Sequence, residues 1–476
     1  MLNISMEHRG SISLYEYVYQ QIRDQIVQGE IGVDEHLPSK RTLAEHLGIS
    51  VITIEKAYSQ LVAEGYVYSL PRRGFYASEL PHAASLAGVG GGERDEAAVP
   101  VASQPVADGR DDGDLSADLS PAAQEGARLW QRALRATLAQ ESEAEVFSPA
   151  PAQGTERLRR AIAGHLRGSR GIEVDPANIV VGAGAQLLDT MLVQLLGADS
   201  VYAVEDPGYL RLTRIYQAMG CEVRHIPLDG EGVRIDDLAD QQVDILHLMP
   251  SHQYPTGRVT SIARRYALLS WASCKDDRYL IEDDFDCEFR LAGKPIPPLA
   301  AIDAGGRVIY TNTFSKSLSS ALRLAYMVLP SALMERFRSE LGFYSSTVSS
   351  IDQVTLARLL ESGEYERHVR RVRKRAREVR DAMIVALDES GLGDGAVLEG
   401  ADAGLHAVLA IRTDADPREV LACVSSGRGG VSLLSDCAWD SRHAETTDGY
   451  VRLVVPYLGL SVDGAHRLIG RLKVFC

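Results

Sequence analysis

Apolar residues near the start of the chain recur at every third or fourth position, which is the spacing of an amphipathic helix. Across residues 13–28 they are Leu14, Tyr15, Val18, Tyr19, Ile22 and Ile26. Two further helices are predicted, one beginning at the N-cap Ser39 and one across residues 50–65, with Gly48 in the short turn between them. Two short helices joined by a glycine-containing turn predict a helix-turn-helix.

A strand-turn-strand pattern follows these helices. The runs YVYSL (residues 66–70) and FYAS (residues 75–78) are rich in β-forming residues, and the turn PRRG (residues 71–74) between them is basic. The pattern therefore predicts a winged helix-turn-helix domain over residues 1–80.

The composition changes after residue 80. Residues 81–118 contain six Gly, three Pro and eight acidic residues against two Arg, and they contain no aromatic residue. Such a segment cannot bury enough apolar area to offset its ordering entropy. We expect a flexible acidic linker over residues 81–118, which leaves residues 119–476 as a second globular region.

In the second region, short runs rich in Val and Ile alternate with segments of helical periodicity. The runs are NIVVG, SVYAVED, VDILHLM, RYLIED and VIYTN, and small or polar residues follow each of them. The alternation predicts an α/β domain with a mostly parallel sheet flanked by helices. Such folds bind ligands at the carboxyl ends of the strands, which is where the polar residues gather.

Charge and composition narrow the function. The net charge of −15, from 65 acidic and 50 basic residues, excludes a protein that binds nucleic acid by bulk positive charge. The six cysteines form no CxxC, and no set of cysteines and histidines has zinc spacing, so no metal site is predicted. With no signal-peptide pattern and no apolar run of about 18 residues, we expect a cytoplasmic protein with reduced thiols.

The winged helix carries candidates for DNA contact at its helix starts and in its wing, where phosphates and base edges would be met. They are Ser39, Lys40, Arg41, Ser50, Thr53, Lys56, Arg72 and Arg73. Residues 39–76 hold five basic and three acidic residues, which favours a local DNA surface. The alternative is a winged helix used for protein contacts, with its basic residues merely solvated.

The run LPSKRTLAEHLGIS…AYSQLVAEGYVYSLPRRGFY resembles the winged helix of the GntR family of bacterial transcription regulators, over nearly all of residues 13–77. One departure concerns the start of the recognition helix. The family commonly has an Arg directly after the first Ser, whereas Val51 and then Ile52 follow Ser50 here. An arginine–guanine contact at that position is therefore lost.

The motifs AGAQ, EDPGY, PSHQYPTG, IEDDFD and TFSKSLSSALRL stand at successive strand ends. In this order they resemble the fold-type I aminotransferases, which use pyridoxal 5′-phosphate (PLP) and have a smaller C-terminal α+β subdomain. The resemblance covers most of residues 119–476. A winged helix linked to such a domain resembles the MocR-type, GabR-like subfamily of GntR regulators. It implies PLP, a double-stranded DNA operator and a homodimer, domain-swapped head to tail.

The resemblance also assigns roles to individual residues. Lys316 matches the lysine of the internal aldimine, since a lysine among hydroxyls at a strand end can form a Schiff base. Asp283 matches the acid that keeps the pyridine nitrogen protonated. Tyr209 matches the residue stacked on the ring, and Tyr254 lies beside the ring. The residues that match the phosphate site are Ala185, Gln186, Thr313, Ser315 and Arg323, and those that match effector-binding arginines are Arg452 and Arg211.

Two segments depart from the aminotransferase pattern. Phe285 stands where the family usually has a Tyr whose phenol donates to the cofactor O3′. Residues 147–154 lack the family's Tyr-containing pattern, which reaches the partner's phosphate in homodimers. Without the phenol at position 285, cofactor binding should survive while efficient transamination is disfavoured. The contact with the partner's phosphate is not carried over to residues 147–154.

Two other features have a structural and a functional interpretation. Residues 366–380 carry eight basic residues, which favours a solvated helix face, with a secondary DNA-contact stripe as the alternative. His406 is interpreted as a packed core histidine in preference to a base.

The sequence therefore predicts a PLP-dependent DNA-binding transcription regulator that senses a small amine or amino acid through an external aldimine. Two alternatives remain open. One is a working PLP-dependent aminotransferase, and the other is a regulator that senses PLP itself and controls vitamin B6 synthesis.

Overall fold

The computed structural model describes residues 14–27, 30–32, 34–63, 67–70, 74–77, 121–292, 296–425, 430–440 and 449–475. These residues fall into two compact units, and the boundary between the units lies between residues 105 and 106. Among them, no helix is long and apolar enough to cross a membrane. The predicted linker, residues 81–118, lies outside the described residues.

The N-terminal unit is a winged helix. Its elements are α1 (Leu14–Val27), β1 (His36–Leu37), α2 (Lys40–Leu47), α3 (Val51–Ala63), β2 (Val67–Leu70) and β3 (Gly74–Ala77). The strands pair in the order β1-β3-β2, all antiparallel. Ile22, Leu43, Ile54 and Leu61 meet in its apolar core. The predicted helix-turn-helix and wing are confirmed; the two-residue β1 is too short to leave a sequence pattern.

Eight strands form the large sheet of the C-terminal unit. They are β4 (Ile179–Gly182), β5 (Val201–Asp206), β6 (Glu222–Asp229), β7 (Gly232–Val233), β8 (Ile245–Leu248), β9 (Tyr279–Asp283), β10 (Val308–Thr313) and β11 (Ala325–Val328). Their spatial order is β4-β11-β10-β9-β8-β5-β6-β7. Strands β10, β9, β8, β5 and β6 are parallel, β11 is antiparallel to both of its neighbours, and β7 is antiparallel to β6. The predicted, mostly parallel sheet is confirmed.

Helices cover both faces of this sheet. Leu280 and Ile281 are neighbours in β9 yet join different apolar clusters, because alternate side chains of a strand point to opposite faces. The helices of the unit are α4 (Pro121–Gln140), α5 (Glu143–Phe147), α6 (Glu156–Arg170), α7 (Ala185–Leu196), α8 (Leu210–Ala218), α9 (Ile235–Asp240), α10 (Ile262–Ser273), α11 (Leu299–Ile302), α12 (Ser331–Arg336), α13 (Ser350–Glu361), α14 (Glu364–Ser390), α15 (Pro417–Val424) and α16 (Val462–Leu472). Ile281 packs with Leu188 of α7, and Leu280 packs with Leu268 of α10.

A smaller antiparallel sheet lies towards the end of the chain. Its strands are β12 (Ala396–Glu399), β13 (His406–Arg412), β14 (Ser432–Leu433) and β15 (Tyr450–Pro456), in the order β12-β13-β15-β14. One face packs Leu409 and Leu453 with Leu468 of α16. The other face brings Val408 and Val454 into the apolar cluster that contains Tyr254. The small sheet therefore adjoins the end of β8 in the large sheet.

Candidate functional site

The predicted site segments converge on one edge of the large sheet. Strands β10, β9, β8 and β5 are parallel, and β4 shares their direction because antiparallel β11 separates it from β10. The carboxyl ends of all five therefore lie at the same edge. Antiparallel β11 begins at that same edge, and Arg323 lies two residues before its first residue.

An anion-binding cradle is built around the first turn of α7. The N-cap Gly184 has a φ of 92° and offers no side chain to the first helical N–H groups, which include those of Ala185 and Gln186. A Cβ at Gly184 would lie 2.4 Å from Arg323 Nη2, so only glycine allows the guanidinium to approach so closely. An exposed helix N-terminus beside an arginine is favourable for a phosphate-sized anion.

Hydroxyl groups complete the cradle on the β10 side. The N–H of Ser315 donates to Thr313 Oγ1 at 3.1 Å, and the hydroxyl oxygens of these two residues are 2.9 Å apart. Lys316 follows directly and is half-buried.

Positive charge is concentrated next to this cradle. The Arg211 guanidinium lies over the Tyr209 ring, 5.7 Å from its centroid. Burial and the charges of Arg323 and Arg214 lower the pKa of Arg211 below its ordinary value. Positive charge gathered in this way attracts anions, which fits a phosphate or carboxylate ligand.

Aromatic side chains line the site where β5 and β8 end. The rings of Tyr209 and Tyr254 are 6.2 Å apart and perpendicular. Phe285 packs beside His252, with 6.4 Å between ring centroids, and brings no hydroxyl to the site. The arrangement provides flat apolar surfaces of the kind that a planar ring packs against.

Asp283 ends β9, with a buried histidine behind it. His247 Nε2 is 3.8 Å from Asp283 Oδ2, and His247 Nδ1 is 2.6 Å from the Tyr216 hydroxyl. Although burial opposes its charged form, the carboxylates of Asp283 and Asp189 raise the pKa of His247. Positive charge on His247 would face Asp283 from the protein interior.

Two further buried carboxyls were not predicted from the sequence. Burial raises the pKa of Asp189 in α7 to about 7 and that of Glu205 in β5 to about 7. Glu205 Oε2 accepts the N–H of Met249 at 3.0 Å. A charged residue inside an otherwise apolar helix or strand is the signal that marks each of them in the sequence.

The second predicted effector arginine lies in the small sheet. Arg452 is in β15, on the face that carries Val454 towards Tyr254. Its Nε is 3.5 Å from Glu399 Oε2, and its guanidinium lies over the Tyr450 ring. A ligand carboxylate at Arg452 would therefore compete with Glu399.

In the winged helix, the predicted hydroxyl contacts also act as helix caps. Ser39 Oγ accepts the N–H of Thr42, and Ser50 Oγ accepts the N–H of Thr53, each at 3.2 Å. Lys40 is paired with Glu55 at 2.7 Å. Arg41 and Lys56 are exposed, and Arg72 and Arg73 lie outside the described residues.

The basic run 366–380 belongs to α14 and has a mixed environment. Arg373 and Arg377 donate to backbone carbonyls of Glu288 and Leu291, whereas Lys374 is 80% exposed. Several of these residues therefore have structural partners, as expected for a solvated face against the domain. His406 is fully buried, as expected for a packed core histidine.

Comparison with known proteins agrees with this architecture. Residues 14–77 match the family described as bacterial regulatory proteins, gntR family, and residues 118–413 match aminotransferase class I and II. Among solved structures, an archaeal alanine:glyoxylate aminotransferase superposes with a TM-score of 0.62 at 24% identity, covering 73% of this chain and 86% of that one. At that identity the likeness establishes the fold alone.

Relatives with both domains span nearly the whole chain. The HTH-type transcriptional regulator YhdI of Bacillus subtilis is 34% identical over 98% of this chain and 97% of its own. The pyridoxine biosynthesis regulator PdxR of Corynebacterium glutamicum is 32% identical over 91% of both chains. The probable rhizopine catabolism regulatory protein MocR of Rhizobium meliloti is 30% identical over 89% of this chain and 87% of its own. The chain therefore belongs to the MocR-type GntR-family transcription regulators, in which a winged helix is fused to an aminotransferase fold.

Proposed function

We propose that this regulator binds PLP at the edge of its large sheet and senses a small amine or amino acid there. The observation that carries the proposal is the approach of Arg323 to Gly184, which places a guanidinium at the start of α7. The GntR winged helix on the same chain supplies the DNA-binding function, since helices of this type enter the major groove.

The cradle fits the phosphate of PLP. Backbone N–H groups of Ala185 and Gln186, the hydroxyls of Thr313 and Ser315, and the Arg323 guanidinium would hold it. All of these are donors, as a dianion requires.

The remaining groups fit the pyridine ring. Asp283 would accept a hydrogen bond from a protonated ring nitrogen, and His247 would hold that carboxylate in place from behind. Tyr209 would pack on the ring, with Tyr254 beside it. When bound, PLP supplies an aldehyde that condenses reversibly with primary amines, and Lys316 is the amine that this chain offers.

Two arginines would select effectors that carry a carboxylate. Burial and the neighbouring charges of Arg323 and Arg214 lower the pKa of Arg211, and an added anion would offset both effects. Arg452 Nε is 3.5 Å from Glu399 Oε2, and because Glu399 is 40% exposed, a ligand carboxylate could take its place at little cost. Bidentate pairing would orient the amine towards Lys316.

Phe285 favours sensing over turnover. Without a phenol at this position, the chain lacks one donor that would tune proton transfers during transamination, while the groups that hold the cofactor remain. The aminotransferase alternative is therefore the weaker one. PLP as the signal is the second candidate, because a relative that covers 91% of this chain is named as a regulator of pyridoxine biosynthesis.

The chain would act as a homodimer in the cytoplasm. Phe147 and Phe343 are large apolar side chains that are 70% and 77% exposed in the single chain. A partner subunit would remove such surface from water. Light scattering on the purified protein would give twice the chain mass of 51.8 kDa.

The function is tested by measuring absorption and DNA binding on the same samples. PLP-loaded protein is titrated with a panel of amines while its visible spectrum and its affinity for its own upstream DNA are recorded. The proposal expects one amine class to change both signals in the wild type, whereas Lys316→Ala, which has no lysine amine to displace, lacks the starting absorption band of the wild type. Release of keto acid with each turnover would support the enzyme instead, and a response to PLP but to no amine would support the PLP sensor.

A further inference from the structure

A second group of potential ligand atoms is buried next to Phe285 and Tyr254 of the candidate site. His252 follows β8, Asp286 follows β9, and His406 is the first residue of β13 in the small sheet. Their side chains are buried, with exposures of 3%, 2% and 0%. One donor atom from each lies within 4.8 Å of the other two. The cluster therefore joins the two sheets of the C-terminal unit.

Hydrogen bonds fix two of the three side chains. His252 Nδ1 is 2.8 Å from Asp286 Oδ2, and the N–H of Leu405 donates to the same oxygen at 3.0 Å. Gly404 makes the approach possible, because a Cβ there would lie 1.8 Å from His252 Nδ1. The Asp286 carboxylate thus sets the orientation of His252 and directs its Nε2 away from itself.

Among the residues that the structure describes, His252 Nε2 has no hydrogen-bond partner, and neither ring nitrogen of His406 makes a hydrogen bond of good geometry. The carbonyls of Gln253 and Pro255 are close to His406, and the two imidazole rings are 4.2 Å apart. A buried polar nitrogen without a partner calls for a bound ion or water at this point.

The surroundings of His406 suit a ligand. The ring is fully buried, 4.2 Å from the ring of His252. A neutral imidazole is the form that coordinates metal ions, and its second nitrogen usually donates to a carbonyl or carboxylate. Asp286 serves His252 in this way, and the nearby carbonyls could serve His406.

We propose that His252, Asp286 and His406 bind a divalent transition-metal ion of the zinc class. Two imidazoles and one carboxylate form a donor set that such ions accept, with at least one coordination position left open. The sequence does not show the set as a motif, because its members lie 34 and 120 residues apart along the chain.

A cleft next to the cluster gives room for the open position. Its walls include Ser251, His252, Asp286 and Gly404. Arg170 and Arg290 also line it, and Arg170 is neutralised by Asp284 at 2.7 Å. Because Arg290 adds positive charge, the open position would take water, hydroxide or a small anion.

The bound ion would act as a clamp between the large and small sheets. It would tie the loops after β8 and β9 to the start of β13, and so resist any movement of the small sheet relative to the cofactor edge. Since a ligand that binds only the folded state stabilises it, zinc should raise the melting temperature of the protein.

The test measures metal content directly. Full-length protein, stripped with chelator, is equilibrated with zinc chloride, dialysed and analysed by elemental mass spectrometry. The proposal expects about one zinc ion per chain in the wild type and less than about one-tenth in His252→Ala and His406→Ala. His466→Ala, which changes an exposed histidine of α16, should bind as the wild type does. Lys316→Ala should also retain zinc, because the site does not include the cofactor.

The proposal is overturned if the wild type binds no more zinc than the His252→Ala/His406→Ala double variant. If the alanine variants do not fold, the zinc X-ray absorption edge of the wild type decides the question. Two imidazole ligands per ion support the site, whereas an absent ion or a ligand sphere without imidazole refutes it.

Discussion

Asp206 Oδ1 accepts the backbone N–H of Trp439 at 2.8 Å, and this contact joins the end of β5 to a segment that follows the small-sheet strand β14. Asp206 Oδ2 accepts the next N–H, that of Asp440, at 3.1 Å. The N–H of Gly208 donates to the carbonyl of Cys437 at 2.9 Å. Residues 434–440, here named the strap, are thus bound to the segment that leads into Tyr209.

Removal of the Asp206 carboxylate should loosen the strap. Asp206→Ala leaves two backbone N–H groups without an acceptor, which should lower the unfolding free energy by roughly 2–4 kcal/mol. We also expect the amine to change DNA affinity less than in the wild type. The reason is that a structural change at the effector site would no longer be transmitted through the strap to the small sheet. Calorimetry and DNA-binding titrations with amine measure the two effects.

Asp303→Ala is the matched control for the strap. Asp303 also accepts backbone N–H groups, those of Gly305, Arg307 and Val308, but it lies before β10, at the opposite edge of the sheet. Its loss should destabilise the protein to a similar extent and leave the amine response intact. If both variants lose the response equally, the strap has no specific role.

Gly184→Ala tests the anion cradle. The new Cβ would meet Arg323 Nη2 at 2.4 Å in a backbone conformation with φ at 92°, so the guanidinium must move away from the helix start. We expect PLP affinity to fall by roughly 10–100-fold, which corresponds to about 1.4–2.8 kcal/mol. Absorbance titration of the cofactor-free protein with PLP gives the dissociation constant.

Gly197→Ala is the control that distinguishes the effect of backbone strain from the effect of losing the cradle. Gly197 has a φ of 100° at the other end of α7, and a Cβ there would meet only Ser200 Oγ, at 3.8 Å. This variant should be destabilised by its backbone while its PLP affinity stays within about twofold of the wild type. Equal loss of affinity in the two variants would argue against the cradle.

Arg452→Gln tests the selection of carboxylates. A charge-assisted pair with a carboxylate contributes about 1.5–3 kcal/mol, so affinity for an amino acid effector should fall by roughly 10–100-fold. Affinity for the corresponding amine without a carboxylate should hardly change. Spectral titration with the two ligands measures the ratio, and equal losses for both would assign Arg452 a structural role through Glu399.

Asp189 should make stability depend on pH. Its pKa rises from 3.8 to about 7 on folding because it is buried, so the folded state binds a proton that the unfolded state releases. Its contribution is therefore greatest below pH 4 and is lost as pH rises towards 7. Asp189→Asn should remove this dependence and stabilise the protein at pH 8 by on the order of 2–4 kcal/mol.

Urea unfolding between pH 5 and pH 8 measures this effect. Asp199→Asn, which changes an exposed aspartate after α7, should leave the pH profile as it is in the wild type. A profile for Asp189→Asn that is parallel to the wild type would show that the carboxyl is not buried in the protonated form.

The sequence predicted that the candidate site residues lie at strand ends, and the direction of the strands then determines which edge of the sheet they share. Gln186, Asp283 and Lys316 each lie at or shortly after the end of a strand, and parallel strands bring their carboxyl ends to one edge. Contacts between the two sheets could not be predicted in this way. Asp206 and Trp439 are 233 residues apart, and no periodicity links an aspartate to backbone N–H groups so distant in the chain.

The recognition helix of the winged domain begins with apolar residues that lie in solvent. Val51 and Ile52 are 43% and 66% exposed at the start of α3, whereas Ser50 and Thr53 are hydrogen-bonded to each other. Exposed methyl groups at this position suit the C5-methyl of thymine in the major groove. Sequence selection here would then depend on apolar contact, where an arginine would read guanine.

Ile52→Ala tests this interpretation of the recognition helix. Loss of an apolar base contact should reduce affinity for the operator by roughly 10-fold, while affinity for unrelated DNA stays the same because no phosphate contact is lost. Val51→Arg should raise affinity for unrelated DNA, because it adds a positive charge near the phosphates. The slope of log affinity against log salt concentration should steepen by about one unit, as expected for one more released counterion. Fluorescence anisotropy over a salt series separates the two outcomes. If Ile52→Ala weakens both kinds of DNA equally, Ile52 supports the helix and does not read bases.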